Sequence, residues 1–315
     1  MDIRAIKSSS AEALAAAPGD PYRLTLLHTG VSLLATLVLT LINWFLSSRI
    51  GATGGLAGMG TRAILTTARA VLAIGFSVAL PFWNLGFTRA SLSFARREKA
   101  DTDMLLEGFR RFGPAVRLML LQTGITIAVV LASVQLGSFL FLATPQGLQY
   151  VRTAMTLVES GAVIDEAAIA SLVDSMGSLY VIAGVLALAL GTPIFYRLRL
   201  TSLCLMGGCR GAFAAVRLSS NLTRGRRFRF FRLDLSFWWY YALQLAAVAL
   251  SYGDYLLETL HAPVNADAAF WVCYLVSIAA QLLITWRFAP QVHTTFATAF
   301  DSLINPDKAQ KSGNT

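Results

Sequence analysis

Residues 116–141 read VRLMLLQTGITIAVVLASVQLGSFLF, and after Arg117 the run holds no charged residue. It exceeds the about 20 apolar residues that carry a helix through about 30 Å of hydrocarbon. An open strand cannot take that path, because lipid offers no partners to unpaired backbone groups. Five further segments have the same character: Leu24 to Leu46, Ile64 to Leu85, Leu179 to Phe195, Leu235 to Tyr252, and Phe270 to Arg287. The expected fold class is all-α: a polytopic membrane helix bundle of about six transmembrane helices with short interfacial amphipathic helices. Residues 1–23 then form an N-terminal segment, 24–297 the membrane domain and 298–315 a tail.

Composition agrees with this reading. The chain has 315 residues, 56% apolar and 14% charged, against about 25% charged in an ordinary soluble domain. Intrinsic disorder needs low hydrophobicity and high charge, so it is excluded. Cys204, Cys209 and Cys273 are too few and scattered for a disulfide framework. The first apolar run is about twice the length of a signal-peptide core and no small-residue cleavage site follows it, so the first helix is expected to persist.

Basic residues stay on the cytoplasmic side of a membrane. Of the 26 Lys and Arg, 22 fall before the first segment, between the second and third, between the fourth and fifth, or after the sixth, counting Arg117 and Arg287 at the bordering ends of the third and sixth segments. The alternate connections hold Arg49, Arg62 and Arg152, alongside Glu159, Asp165, Glu166, Asp174, Asp254, Glu258 and Asp267. Both termini are therefore expected in the cytoplasm, in a multi-pass protein of the cell membrane. The six tryptophans, Trp44, Trp83, Trp238, Trp239, Trp271 and Trp286, all fall near segment ends, where indole prefers the headgroup level.

Two basic connections stand out. In the first, Asp101 to Phe112 reads as an amphipathic helix: Leu105, Phe109 and Phe112 share a face, Asp101 and Asp103 open it, and Arg110-Arg111 end it. Gly113-Pro114 is expected to stop that helix and start the next. In the second, Gly211 to Leu222 reads as a short helix, followed by Arg224 and the run Arg226-Arg227-Phe228-Arg229-Phe230-Phe231-Arg232. Basic residues interleaved with aromatics beside a bilayer attract anionic lipid headgroups, at about 1 kcal/mol per charge. Arg224, Arg226, Arg227, Arg229, Arg232, Arg110 and Arg111 are the candidate contacts; the bland alternative is topological anchoring. Nucleic acid is not an expected partner, because positive-inside bias already accounts for the net charge of +9 and no binding motif is present. Each connection follows a Pro-aromatic element, Pro81-Phe82-Trp83 or Pro193-Ile194-Phe195, which suggests a parallel internal repeat.

Three stretches carry a family resemblance. They are Ile6-Lys7 with Ala11, Ala13 and Leu14; Leu85-Gly86-Phe87 through Arg96-Arg97-Glu98-Lys99 to Asp103-Met104-Leu105-Leu106-Glu107-Gly108-Phe109; and Ala215-Val216-Arg217-Leu218-Ser219 with the Arg-Phe run and Leu235-Ser236-Phe237-Trp238. In these the chain resembles a family of bacterial integral membrane proteins known only as domain of unknown function nine-seven-five. The resemblance covers most of the chain and implies a helical multi-pass fold. It implies no catalytic residues, and the stretch from Thr144 to Gly177 is longer than the family pattern.

No catalytic constellation is visible, and neither cofactor nor metal is expected. His28, His261 and His293 fall in or near different segments, and Cys204 and Cys209 lack a nearby histidine. The Gly-rich run Gly51 to Gly60 reads as a loop, and Val163 to Met176 as one more helix on the outer side. Ionisable groups inside a membrane are the default functional candidates. Arg69 lies about two turns into the second segment and His28 one turn into the first. Asp254 borders the outer end of the fifth and would pair with Arg69 if the two helices touch. Gln244 and Gln281 are polar positions that more often join helices than line a path. Ala183, Ala187 and Gly191 form a small-residue stripe for close helix packing.

Three functions compete: a structural or accessory membrane protein with inner-leaflet lipid contacts and a membrane-protein partner or homo-oligomer, a transporter or permease for a small solute or lipid, and an intramembrane enzyme.

Overall fold

The computed structural model describes residues 3–52, 59–160, 173, 176–253 and 265–305. Their regular secondary structure is all helical, without a strand among them. In chain order the helices are α1 (Ile3–Ala16), α2 (Pro21–Ala52), α3 (Met59–Ala95), a 3-10 turn (Thr102–Leu106), α4 (Glu107–Arg110), α5 (Phe112–Leu142) and α6 (Pro145–Ser160), then α7 (Gly177–Leu198), α8 (Thr201–Met206), α9 (Ala212–Thr223), α10 (Arg227–Leu235), α11 (Trp238–Leu250) and α12 (Ala266–Ile304). Among the described residues, five stretches are long and apolar enough to cross a bilayer: Pro21–Arg49, Gly60–Ala95, Phe112–Leu142, Gly177–Met206 and Ala268–Ile304.

Length divides the molecule into two layers. At about 1.5 Å per residue, α3 and α12 are each more than 50 Å long and overshoot a hydrocarbon core of about 30 Å. Ile64 and Ile74 of α3, and Val276 and Leu283 of α12, are more than half exposed. Apolar exposure of this kind suits lipid, which drives no hydrophobic association between helices. The far ends of the same helices are packed: Leu92 and Phe94 of α3, and Ala297 and Phe300 of α12, are buried. Around Leu92, Ala297 and Phe300 gather Ile6 of α1, Leu205 and Met206 of α8, Ala212 and Ala215 of α9, and Phe230 and Leu233 of α10. This hydrophobic core lies at the end that carries the basic connections. Pro81, Pro193 and Pro290 all sit inside helices that continue past them.

One expectation needs correction. Asp101 to Phe112 is not one amphipathic helix. The chain makes the 3-10 turn, then the single turn of α4, breaks at Arg111, and begins α5 already at Phe112. Pro114 then falls in the first turn of α5, where its missing N–H is harmless. The reason is close backbone contact with α3. A Cβ on Gly86 would lie 1.9 Å from the Leu105 carbonyl oxygen, and one on Gly108 would lie 2.0 Å from that of Phe82. A regular helix does not fit against α3 at that separation, so Leu105 is buried while Phe109 and Phe112 fold over the ring of Phe82, at 5.5 and 5.2 Å.

The fifth apolar segment is interrupted. α11 has 13 residues, about 20 Å, which is short of the hydrocarbon thickness. Phe237 turns inward and is buried, which separates α10 from α11. The two basic connections also differ in build: one holds the 3-10 turn and α4, the other α8, α9 and α10.

Among the described residues, α5 and α7 form the most extensive helix pair. The Ala183, Ala187, Gly191 stripe faces α5, with a Cβ on Gly137 only 3.2 Å from Ala183 Cα. α11 is tied to α12 by polar bonds. Gln244 Nε2 donates to Thr285 Oγ1 (2.7 Å), and Ser277 Oγ donates to the Ala247 carbonyl (2.7 Å) while accepting from Gln281 Nε2 (2.9 Å). Such bonds average about 0.6 kcal/mol. Gln244→Leu is therefore expected to lower stability by under about 1 kcal/mol, a small shift in thermal midpoint in detergent.

Candidate functional site: the basic end and its groove

α10 is built as a surface helix. Phe230 and Leu233 point into the core and are fully buried, while Phe228 is 70% and Phe231 38% exposed. Arg224, Arg226, Arg227, Arg229 and Arg232 are all exposed, and no described carboxylate forms an ion pair with any of them. Arg227 and Phe228 are each neighbours of Phe231 on the helix surface, at i,i+4 and i,i+3, and the rings of Phe228 and Phe231 stack at 6.0 Å.

The other two headgroup candidates are engaged within the protein. Arg110 pairs with Asp103 at 3.3 Å and Glu107 at 3.9 Å. Arg111 is half-buried, holds Glu107 at 3.0 Å, and donates through Nη1 to the Leu205 carbonyl at 3.2 Å. Arg89 donates to the next carbonyl, Met206, at 3.4 Å. Two guanidiniums thus cap the C-terminus of the buried α8, where orphan carbonyls and the helix dipole favour cations.

Behind α10 lies a polar network that motif reading missed. Arg199 Nη2 donates to Asp234 Oδ1 at 2.9 Å, and the Tyr241 hydroxyl donates to the same oxygen at 2.8 Å. The side chains are 27% and 13% exposed. The guanidinium also lies over the rings of Phe296 (4.3 Å) and Phe195 (5.3 Å). One signal was available: Asp234 is the sole carboxylate between Asp174 and Asp254, in a stretch crowded with arginine.

The membrane-embedded candidates are dispersed. His28 Nε2 lies 3.1 Å from Asn84 Oδ1, and its ring stacks on Phe87 at 4.3 Å. His293 meets the same Phe87 edge-on at 5.1 Å. Arg69 is exposed and donates to Ser47 Oγ at 3.2 Å. Gln244 ties α11 to α12, and Gln281 bonds within α12 to Ser277, whose hydroxyl makes the second tie. Asp254 lies outside the described residues, as do His261, residues 53–58 of the Gly-rich run and most of the helix expected over Val163 to Met176. Among the described residues, no three His, Cys, Asp or Glu gather as metal ligands.

α1 closes the basic end from the side. Ser10 and Thr295 hydroxyls meet at 2.8 Å, both buried. Lys7 Nζ donates to the Ser236 carbonyl at 2.9 Å and sits 3.9 Å from the centre of the Phe237 ring. Burial lowers the pKa of this ammonium.

A groove of about 760 Å³ runs between α5 and α7. Val129, Val130 and Leu188 line one end; Gln122, Arg199 and Ser202 line the other, where Phe231 of α10 forms the rim.

No protein-family model, curated protein or solved structure matches this chain.

Proposed function

We propose that this chain is a structural or accessory protein of a bacterial cell membrane, with both termini cytoplasmic, whose basic end engages anionic headgroups of the inner leaflet. The family resemblance, and a sixth crossing by α11 with its flanks, belong to the same proposal. One observation carries it: α10 buries one face and offers unpaired guanidiniums and aromatic rings together on the other. An ordinary solvated face has no need of exposed Phe228 and Phe231, whereas an interfacial helix carries basic and aromatic residues in that mixture.

The test compares wild type with an Arg226→Gln, Arg227→Gln, Arg229→Gln, Arg232→Gln variant. Native mass spectrometry would count phosphatidylglycerol retained after gentle solubilisation. Loss of roughly tenfold or more in retention is expected, given the contribution of each cation near an anionic surface. Equal retention leaves the arginines as topological anchors and ends the lipid reading. Orientation is tested by single cysteines: those at Gly55 and Glu159 are expected to react with an impermeant reagent added outside, and those at Lys99 and Arg226 not to. Arg69→Ala is expected to shift stability by less than about 0.5 kcal/mol and leave lipid retention unchanged, because its partner Ser47 lies on an exposed face.

A further inference from the structure

We infer that the groove between α5 and α7 is a site for a single anionic phospholipid of the inner leaflet, its tail along α7 and its phosphate beside Arg199. The inference rests on the functional reading above, because it requires the basic end to face the cytoplasm. The groove volume, about 760 Å³, falls within the about 300–1,000 Å³ of small-molecule sites. From Ala187 to Leu198 the wall of α7 runs about 16 Å. Ala187 and Gly191 give it depth by lacking bulk, and Leu188, Val130 and Phe195 stand about half or more exposed beside it.

The two ends demand an amphiphile. A polar solute would have to pass an apolar flank, whereas a lipid enters sideways with its tail already in hydrocarbon. The headgroup's sign follows from Arg199. Asp234, Phe195 and Phe296 fix its guanidinium, yet about a quarter of the side chain remains exposed, and Arg199 lines the groove. Asp234 is already engaged by Arg199 and Tyr241, and Arg197 stands exposed with its Nε on Ser220. A fixed planar guanidinium suits a phosphate, which it meets through two N–H groups. Phe231 joins the slot to α10: it forms the rim and packs against Tyr196 at 6.0 Å. The basic-aromatic helix and the groove are therefore one continuous surface.

The experiment uses the full-length protein in phosphatidylcholine nanodiscs containing a minor fraction of phosphatidylglycerol or phosphatidylcholine with a photoreactive acyl tail. The phosphatidylglycerol probe is expected to label the peptides holding Val129–Val130 and Leu188 about fivefold more than the neutral probe, the equivalent of one cation contact. Ala187→Phe, which fills the slot and leaves every arginine in place, is expected to abolish that excess. So is the paired Arg199→Met, Asp234→Leu variant, which removes the cation without stranding its partner. Equal labelling by both probes, or an excess shared by exposed Ile74 and Val276, overturns the inference. If either variant fails to fold, the two-probe comparison on the wild type decides alone. Should phosphatidylglycerol retention still depend on α10 while the groove shows no excess, the groove inference falls and the functional reading stands. Should retention itself be absent, both fall.

Discussion

Gly86→Leu is expected to leave no monodisperse protein after solubilisation. The first atom of any side chain there would stand 1.9 Å from the Leu105 carbonyl oxygen, with the Leu105 carbonyl carbon and Cα at 2.4 and 2.7 Å. These are backbone atoms, so no rotamer change relieves the clash. Ordinary overpacking costs about 1–3 kcal/mol, but here α3 must part from the 3-10 turn. Leu105 is buried between them, with Phe87 and Phe94 in its cluster. The loss is expected to exceed about 4 kcal/mol, a value reached only when such a mechanism is present. Gly108→Leu is expected to behave alike, because its Cβ would meet the Phe82 carbonyl at 2.0 Å. Gly75→Ala is the control: nothing lies within 4 Å of its Cβ, and alanine favours the helix. Fluorescence-detected size exclusion of tagged variants separates these outcomes. A sharp Gly86→Leu peak at wild-type yield would show that the α3 contact is not needed for folding.

Both glycines were visible in the sequence, in stretches that carry the family resemblance, and neither could be recognised as half of a contact. A span is a local property: uncharged length against a fixed hydrocarbon thickness decides it, so the long helices were legible. Contact between Gly86 and Leu105 depends on how the chain returns after α3, which no local pattern encodes. The same applies to α11. An apolar run from Leu235 to Tyr252 hides a break, because Phe237 is as apolar as its neighbours and only packing shows that it turns inward. Of the candidate site, the basic-aromatic character of α10 was legible because its interleaved pattern is local. The different fates of Arg110 and Arg111 were not, since the carbonyls that Arg111 caps belong to α8, far along the chain. The groove was illegible for the same reason: α5 and α7 each contribute ordinary membrane residues, and only their pairing makes a slot.

Asp234→Ala is expected to destabilise the protein by about 3–5 kcal/mol, the cost of stranding one member of a largely buried ion pair. Arg199 would keep its place over Phe296 and Phe195 with no anion to balance it. Arg199→Met alone should do comparable damage, because it leaves the carboxylate, 13% exposed, without its cation and with neutral hydroxyl donors such as Tyr241. The informative variant is the pair together. Taking two charges out of water is so unfavourable that replacing both with apolar residues is often neutral or stabilising. Arg199→Met with Asp234→Leu is therefore expected to recover most of the loss, leaving about 1 kcal/mol for the hydroxyl that has lost its acceptor. Thermal unfolding in one detergent, run as a double-mutant cycle, measures the difference. A double variant as unstable as the sum of the singles would mean that the two residues act independently. Recovery would mean that the pair is not retained for stability, and would leave presenting a fixed cation to the groove as the role that accounts for it.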